Sequence, residues 1–280
     1  MAYDLKELQA CQLDILKELT RVCEKNGITF FLVYGTCLGA VRHKGFIPWD
    51  DDIDVGMTVA DFEKLKACKD EFQEKYFLQT RETDAGYGLM IGRLRNSETT
   101  LIEADESYRD MNHGVFIDIY PFFNCPTKKF ARKRMVFHSM LYRLMLYQKA
   151  PKNRGKMMRI GSKVLLALCP KFLRRAIMKH SEKVLYSYKE TGFYSPFYGG
   201  LEKKTYAKEM LFPVRKAPFE DTVTYIPAQA EKYLELTYGN YMQLPPEEKR
   251  VIHHDFKCVD LENGYLKYKG EYYCVDGDKK

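Results

Sequence analysis

The apolar positions follow a helical period at the start of the chain. Between residues 4 and 25, Leu5, Leu8, Ile15, Leu16, Leu19, Val22 and Cys23 fall near one face, and Asn26-Gly27 supplies a C-terminal stop. From Ile28 to Tyr34 the run is β-branched and aromatic with no polar side, which predicts a buried strand, and Gly35-Thr36 then opens a turn into a helix. Asp52 to Met57 predicts a second strand, Ala60 to Tyr76 an amphipathic helix, and Tyr87 to Asn96 and Gly114 to Tyr120 further strands. Helical spacing returns over Arg132 to Tyr147 and again from Val164 to Leu173. Thr191 to Gly200 is an aromatic, glycine-rich loop and Pro213 to Pro227 is extended. Ala228 to Tyr238 is a helix stopped by Gly239, and Tyr265 to Val275 splits around Lys269-Gly270 like a hairpin. The pattern is α+β, a mixed sheet flanked by helices, with no internal repeat. It predicts one core carrying a helical insertion, divided as 1–126, 127–190 and 191–280.

Composition narrows the class. A chain of 280 residues with 45% apolar and 30% charged residues is globular, neither disordered nor fibrous. The eight cysteines contain no C-x-x-C pair and no zinc or disulfide spacing, as in a reduced cytoplasmic protein. Acids at Asp4, Glu7, Asp14 and Glu18 break the pattern a signal peptide requires, and no apolar run approaches the ~20 residues of a membrane span. The net charge of +7 conceals a strong asymmetry. Thr127 to Lys189 carries 18 Lys or Arg and one acid, Glu182, so that segment is +17 and the remainder −10. A basic amphipathic segment on an acidic body suggests an anionic partner, either membrane headgroups or a polyanion. Equally, its helices can dock on the body and leave a solvated cationic face. Base-stacking aromatics interleaved with the basic residues are not evident, so no nucleic acid is expected.

The candidate chemistry lies in Asp50-Asp51-Asp52-Ile53-Asp54-Val55-Gly56. On a strand, Asp52 and Asp54 share one face about 6.6 Å apart along the chain while Ile53 and Val55 enter the core. Two such carboxylates repel unless a cation sits between them, and oxygen-only ligands suit Mg²⁺ or Mn²⁺. A calcium loop fits poorly, since its glycine would fall at Val55 and its twelfth residue is Asp61. Asp118, a lone acid inside Val115-Phe116-Ile117-Asp118-Ile119, is the third candidate, as metal ligand or as base for an attacking hydroxyl. Its structural alternative is pairing with Arg93 or Arg95. Gly35 and Thr36, at a strand end before a helix, can receive a phosphate, with Arg42 and Lys44 to neutralise charge. His253-His254-Asp255 with Cys258 lacks zinc spacing and is read as surface or pocket polarity. There is no P-loop, and Gly86-Tyr87-Gly88 lacks the third dinucleotide glycine.

Gly35-Thr36, Asp52-Ile53-Asp54-Val55 and Ile117-Asp118-Ile119 together resemble the three-part signature of the nucleotidyltransferase fold typified by DNA polymerase beta. The longer run from Tyr34 to Met57, including Gly39-Ala40-Val41-Arg42-His43-Lys44-Gly45-Phe46-Ile47-Pro48-Trp49, closely resembles the LicD family, which includes the fukutin and fukutin-related proteins. Phe219-Glu220, Tyr238-Gly239 and Pro245-Pro246 add support. The resemblance implies a transferase that moves a phospho-alcohol such as phosphocholine, or a phosphonate, from a CDP-activated donor. The acceptor would be a sugar hydroxyl of a cell-envelope glycan or its lipid-linked precursor. It implies Mg²⁺ or Mn²⁺ on Asp52, Asp54 and Asp118, donor phosphates at Gly35 and Thr36, and Arg42, Lys44 and Arg93 as phosphate or leaving-group clamps. Phe122-Phe123-Asn124 departs from the acid found there in many relatives. The headgroup pocket is expected from Tyr87, Tyr108, the 191–200 loop and the carboxy-terminal third. A lipid-linked acceptor would also explain the basic segment 127–190 as a contact to an anionic membrane, making the protein cytoplasmic and peripheral at the inner face. The alternatives are a nucleotidyltransferase acting on a nucleic acid or small molecule, a glycosyltransferase with an Asp-x-Asp metal site, and a non-catalytic membrane adaptor. Fifty residues upstream of the acids leave no room for a glycosyltransferase's nucleotide-binding half.

Overall fold

The computed structural model describes residues 3–148, 156–189, 191–196, 204–252 and 254–275. The chain forms two compact units, the first from residues 1–87, 91–121 and 209–280, the second from 88–90 and 122–208. These boundaries cut the sequence-based segments at different places, and residues 191–208 cluster with the second unit.

In the first unit, α1 (Leu5–Lys25) starts where the Asp4 carboxylate accepts from the Lys6 N–H and ends at Asn26, with Gly27 at φ +60°. Its apolar face is buried from Leu8 to Cys23. β1 (Phe30–Leu32) leads into α2 (Tyr34–Arg42), and an eleven-residue connection, 43–53, follows before β2 (Asp54–Thr58). Thr58 caps α3 (Val59–Ala67) by accepting from Asp61 N–H. β3 (Tyr76–Gln79), β4 (Gly92–Asn96), β5 (Thr100–Glu103) and β6 (Val115–Asn124) complete the amino-terminal half. The strands assemble in the order β1-β2-β6-β4-β3, with β1/β2, β4/β6 and β3/β4 antiparallel. Helices and this curled mixed sheet make the fold α+β, as the hydropathy pattern predicts.

β6 continues into the second unit, where Phe122 to Asn124 pair with β7 (Phe193–Pro196), described below. That unit contains α4 (Lys129–Tyr147), α5 (Lys156–Leu168) and α6 (Lys171–Tyr186), followed by β7 and by β8 (Tyr206–Ala207), which pairs with β7. The chain returns through α7 (Lys208–Leu211) to the hairpin of β9 (Arg215–Phe219) and β10 (Thr222–Ile226). α8 (Ala230–Tyr238) ends at Gly239, whose φ is +72°, and β11 (Phe256–Asp260) pairs with β5.

Several elements depart from the pattern. Asp52 lies outside the strand, which begins at Asp54. The helix expected to Tyr76 stops at Ala67. Phe72 and Tyr76, whose i, i+4 spacing extends a helical pattern, are buried, and Tyr76 starts a strand that pairs with β4. The strand expected from Tyr87 begins at Gly92. The terminal hairpin is instead a 3₁₀ turn over Tyr265–Tyr268 with one bridge between Lys269 and Tyr273. There Tyr268 and Tyr273 bury their rings against Ile102 and Cys258, so packing on the β5/β11 ribbon takes the place of a ladder. Residues 197–200 of the expected loop lie outside the described residues.

Candidate active site

The acidic connection between α2 and β2 is held from beneath by α1. Gln9 and Gln12 donate their side-chain amides to the carbonyl oxygens of Asp50 and Asp51, each at 2.8 Å. The buried Asp51 carboxylate turns to His254, whose Nδ1 lies 3.0 Å away. The hydrogen bond to Asp51 raises the imidazole to about 9, so His254 is cationic at neutral pH and the pair is ionic. With Asp51 fastened on one side, Asp50 and Asp52 face a cavity of about 550 Å³. Asp54, at the start of β2, enters the same cavity. Tyr34, Gly35 and Leu38 of α2, Arg42, Trp49 and the 238–249 segment form the rest of its wall.

Gly35 is required by this geometry. A Cβ there would lie 2.7 Å from Asp50 Oδ2, so any larger residue would push the carboxylate from its place. Thr36 Oγ1 accepts from the Asp54 N–H at 2.8 Å and ties α2 to the first residue of β2. Both residues therefore help to build the acidic site, and Gly35 also lines the cavity expected to take the donor phosphates. Asp54 is buried, receives a hydrogen bond from Tyr120, and leaves its Oδ1 without a partner. Burial, followed by the charges of Asp52, Asp118 and Asp50, holds its carboxyl far above the ordinary range. Burial also raises Asp52 to about 6, and burial with the charges of Asp52 and Asp51 raises Asp50 to about 8. Three acids that resist ionising together, one with an orphaned buried oxygen, form an oxygen-only donor set that suits a hard divalent cation. One carboxylate oxygen from each of Asp50, Asp51 and Asp52 lies within 4.8 Å of the others.

Asp118 is placed differently from the expectation of an unpaired acid. On β6 it stands opposite Arg93 of β4, and Arg93 Nε donates to Asp118 Oδ1 at 2.8 Å. The same guanidinium reaches Glu103 at 2.7 Å and Glu106 at 2.8 Å, and it packs 3.8 Å from the centre of the Phe116 ring. Buried and engaged by three carboxylates, Arg93 is a strut for Asp118 and does not line the cavity, which removes it as a phosphate clamp. Asp118 remains close enough for its charge to act on Asp52 and Asp54.

Of the other expected cations, Arg42 lines the cavity and donates to the Tyr241 carbonyl at 2.7 Å and to His43 Nε2 at 2.9 Å. Lys44 is exposed, has φ +65°, and donates to the Val41 carbonyl at 3.1 Å outside the cavity lining. Sequence reasoning gave no role to Asp50 or to Lys249, both of which line the cavity. Asp50 could have been found from its adjacency to Asp52. Lys249 carries no local signal, because 238–249 is brought in by tertiary packing. Arg250 helps fix that segment by donating to the Pro245 carbonyl at 2.9 Å and lying 5.5 Å over the Trp49 ring. Tyr87, expected in a headgroup pocket, is buried with its hydroxyl unpartnered, and neither it nor Tyr108 lines the cavity. His253 lies outside the described residues, and Cys258 is buried on β11.

An Asp-x-Asp pair at the entry to a strand of a mixed sheet, beside a Gly-Thr helix start, marks a phosphotransferase of the nucleotidyltransferase-fold class. Residues 27–146 match the family described as LicD/FKTN/FKRP, nucleotidyltransferase domain. Over 266 residues the chain is 30% identical to the lipopolysaccharide cholinephosphotransferase LicD of Haemophilus influenzae, covering 89% of this chain and 96% of that one. It is also 29% identical over 128 residues to human ribitol 5-phosphate transferase FKRP, covering 43% of this chain and 23% of FKRP. The chain belongs to the LicD family.

Proposed function

We propose that the protein transfers a phospho-alcohol from a CDP-activated donor to a sugar hydroxyl of a cell-envelope glycan or its lipid-linked precursor, using Mg²⁺ or Mn²⁺. The observation that carries this reading is the convergence of Asp50, Asp52 and Asp54 on one cavity, with Asp54 Oδ1 buried and unpartnered. Two relatives support the substrate class, one named a cholinephosphotransferase acting on lipopolysaccharide and one a ribitol 5-phosphate transferase. Asp52 and Asp54 would hold the cation, with Asp50 beside them and Asp118 as the carboxylate behind them. A bound divalent cation would neutralise the donor diphosphate and withdraw charge toward the departing CMP.

The chain's own residues do the rest. Arg42 and Lys249, facing the acids across the cavity, offset the negative charge of the donor oxygens. Arg93 fixes the Asp118 carboxylate behind Asp52 and Asp54, and one of the carboxylates that line the cavity takes the proton of the acceptor hydroxyl as its oxygen bonds to phosphorus and the bond to CMP breaks. The amide anchors from Gln9 and Gln12 keep the acidic connection from moving as charge redistributes. The protein would work in the cytoplasm at the inner face of the membrane, where lipid-linked acceptors present themselves.

The test is CMP release from CDP-choline and CDP-ribitol in the presence of Mg²⁺ or Mn²⁺, with and without a lipid-linked glycan acceptor. Release that requires both metal and acceptor, and that is lost in Asp54→Asn, supports the reading. Release from other nucleoside diphosphate donors in preference to CDP-alcohols would overturn it.

A further inference from the structure

α5 has its apolar surface on the wrong side for a helix of a water-soluble unit. Met157, Ile160, Val164 and Leu168 are 89%, 62%, 51% and 76% exposed. Their spacing of three, four and four residues stacks them in a single ridge. Ser162, which is buried, lies about 160° round the helix from that ridge. Half-buried Leu166 shares the covered side with Ser162, while the four large apolar residues of the ridge face out, where a water-soluble helix usually carries polar residues. Lys163, exposed, borders the ridge on one side, Arg159, also exposed, lies further round the helix, and no acid occurs between Thr127 and Ser181.

The helix is fixed in this orientation at its carboxy terminus. Arg174 of α6 donates Nε to the Cys169 carbonyl and Nη2 to the Leu166 carbonyl, both at 2.7 Å, satisfying carbonyl groups at the α5 end. Its Nη1 also reaches Gln148 Oε1 just beyond α4. Phe172, 74% exposed and flanked by Lys171, extends the apolar and cationic pattern into α6. On α4, a separate open pocket of about 380 Å³ is lined by Val136, Phe137 and Met140 together with Lys129, Arg132 and Lys133.

We infer that the outward ridge of α5 is an insertion surface for an anionic lipid bilayer, with Met157, Ile160, Val164 and Leu168 entering the acyl boundary and the flanking cations meeting the headgroups. Charge decides among apolar-seeking occupants. A second copy packed ridge to ridge would bring a segment of +17 against another of +17, and a neutral protein would leave the cations without partners. An anionic bilayer accepts both the ridge and its flanks. No helix among the described residues is long and apolar enough to cross a membrane, so this contact lies in the plane of the interface.

The inference stands on the second unit alone, so its outcome is separable from the transferase assay. The whole chain is floated with vesicles of phosphatidylcholine alone and of phosphatidylcholine with phosphatidylglycerol, at low and high salt. Flotation with the anionic vesicles only, weakened by salt, is expected. The paired variant Ile160→Glu/Leu168→Glu, checked for native circular dichroism, is expected to lose binding by about tenfold or more. Arg159→Gln/Lys163→Gln should weaken it less. Absence of wild-type flotation, or flotation unchanged in the paired ridge variant, would overturn the assignment. So would self-association in sedimentation that the ridge variant abolishes without any vesicle binding, since the ridge would then belong to a second copy.

Discussion

In the first unit, Asp50, Asp52 and Asp54 are acidic groups drawn inward, whereas in the second Met157, Ile160, Val164 and Leu168 are apolar groups turned outward. Each arrangement costs free energy in the isolated chain. The acids are kept in place by a dense set of bonds: amides from α1, the Thr36 hydroxyl, the Tyr120 hydroxyl and the His254 imidazolium. The α5 ridge has far lighter support, chiefly Arg174 at one end. A site for chemistry needs positions held to a fraction of an ångström, while a surface for a fluid bilayer needs only the right face outward.

The sharpest way to break this comparison is to remove the carboxyl that is most deeply held. Asp54→Asn keeps shape and the start of β2 but removes the carboxyl that would ionise on a bound cation, and transfer activity is expected to fall on the order of a thousandfold with folding retained. Activity within a few-fold of wild type would move the chemistry away from this cavity. Arg93→Ala should act on stability instead. It leaves Asp118, Glu103 and Glu106 around a vacated buried cation position, and denaturant unfolding should show a loss of about 3–5 kcal/mol. Gly35→Ala places a methyl against Asp50 Oδ2, so activity is expected to fall by about a hundredfold with a much smaller change in stability.

The smallest expected effect concerns pH. His254 titrates near 9 in the folded protein against 6.5 in the unfolded chain, so its contribution is fully present below about pH 6.5 and is lost as pH rises through about 9. The stability difference between wild type and His254→Gln should therefore be largest at pH 6 and shrink toward pH 9.5 in thermal unfolding. A difference that grows with pH would mean that the pairing with Asp51 is not what holds the acidic connection.

Much of this was readable from residue order, because its causes are local. Helical spacing with an Asn-Gly stop located α1, and alternating or unbroken apolar runs located β1, β2 and β6. The Asp-x-Asp pair and Gly35 were legible because the site is assembled from one short stretch of chain. What stayed hidden depends on distant partners. β3, β5 and β11 are defined by the strands they pair with, and nothing local in Thr100–Glu103 or Phe256–Asp260 announces the other. Arg93 reads as a free cation until Glu103, Glu106 and Asp118 close around it. The 238–249 wall of the cavity is likewise a tertiary product. In the basic segment, the composition gave the charge but could not say which side of α5 faces out. That required the buried Ser162.

The most direct measurement of the central claim is calorimetric titration of CDP into the chain with Mn²⁺ present and with Mn²⁺ chelated, for wild type and for Asp54→Asn. Binding that needs Mn²⁺, exceeds that of UDP, GDP and ADP, and vanishes in the variant is the predicted result. Equal binding with the metal chelated, or equal binding to Asp54→Asn, would contradict it.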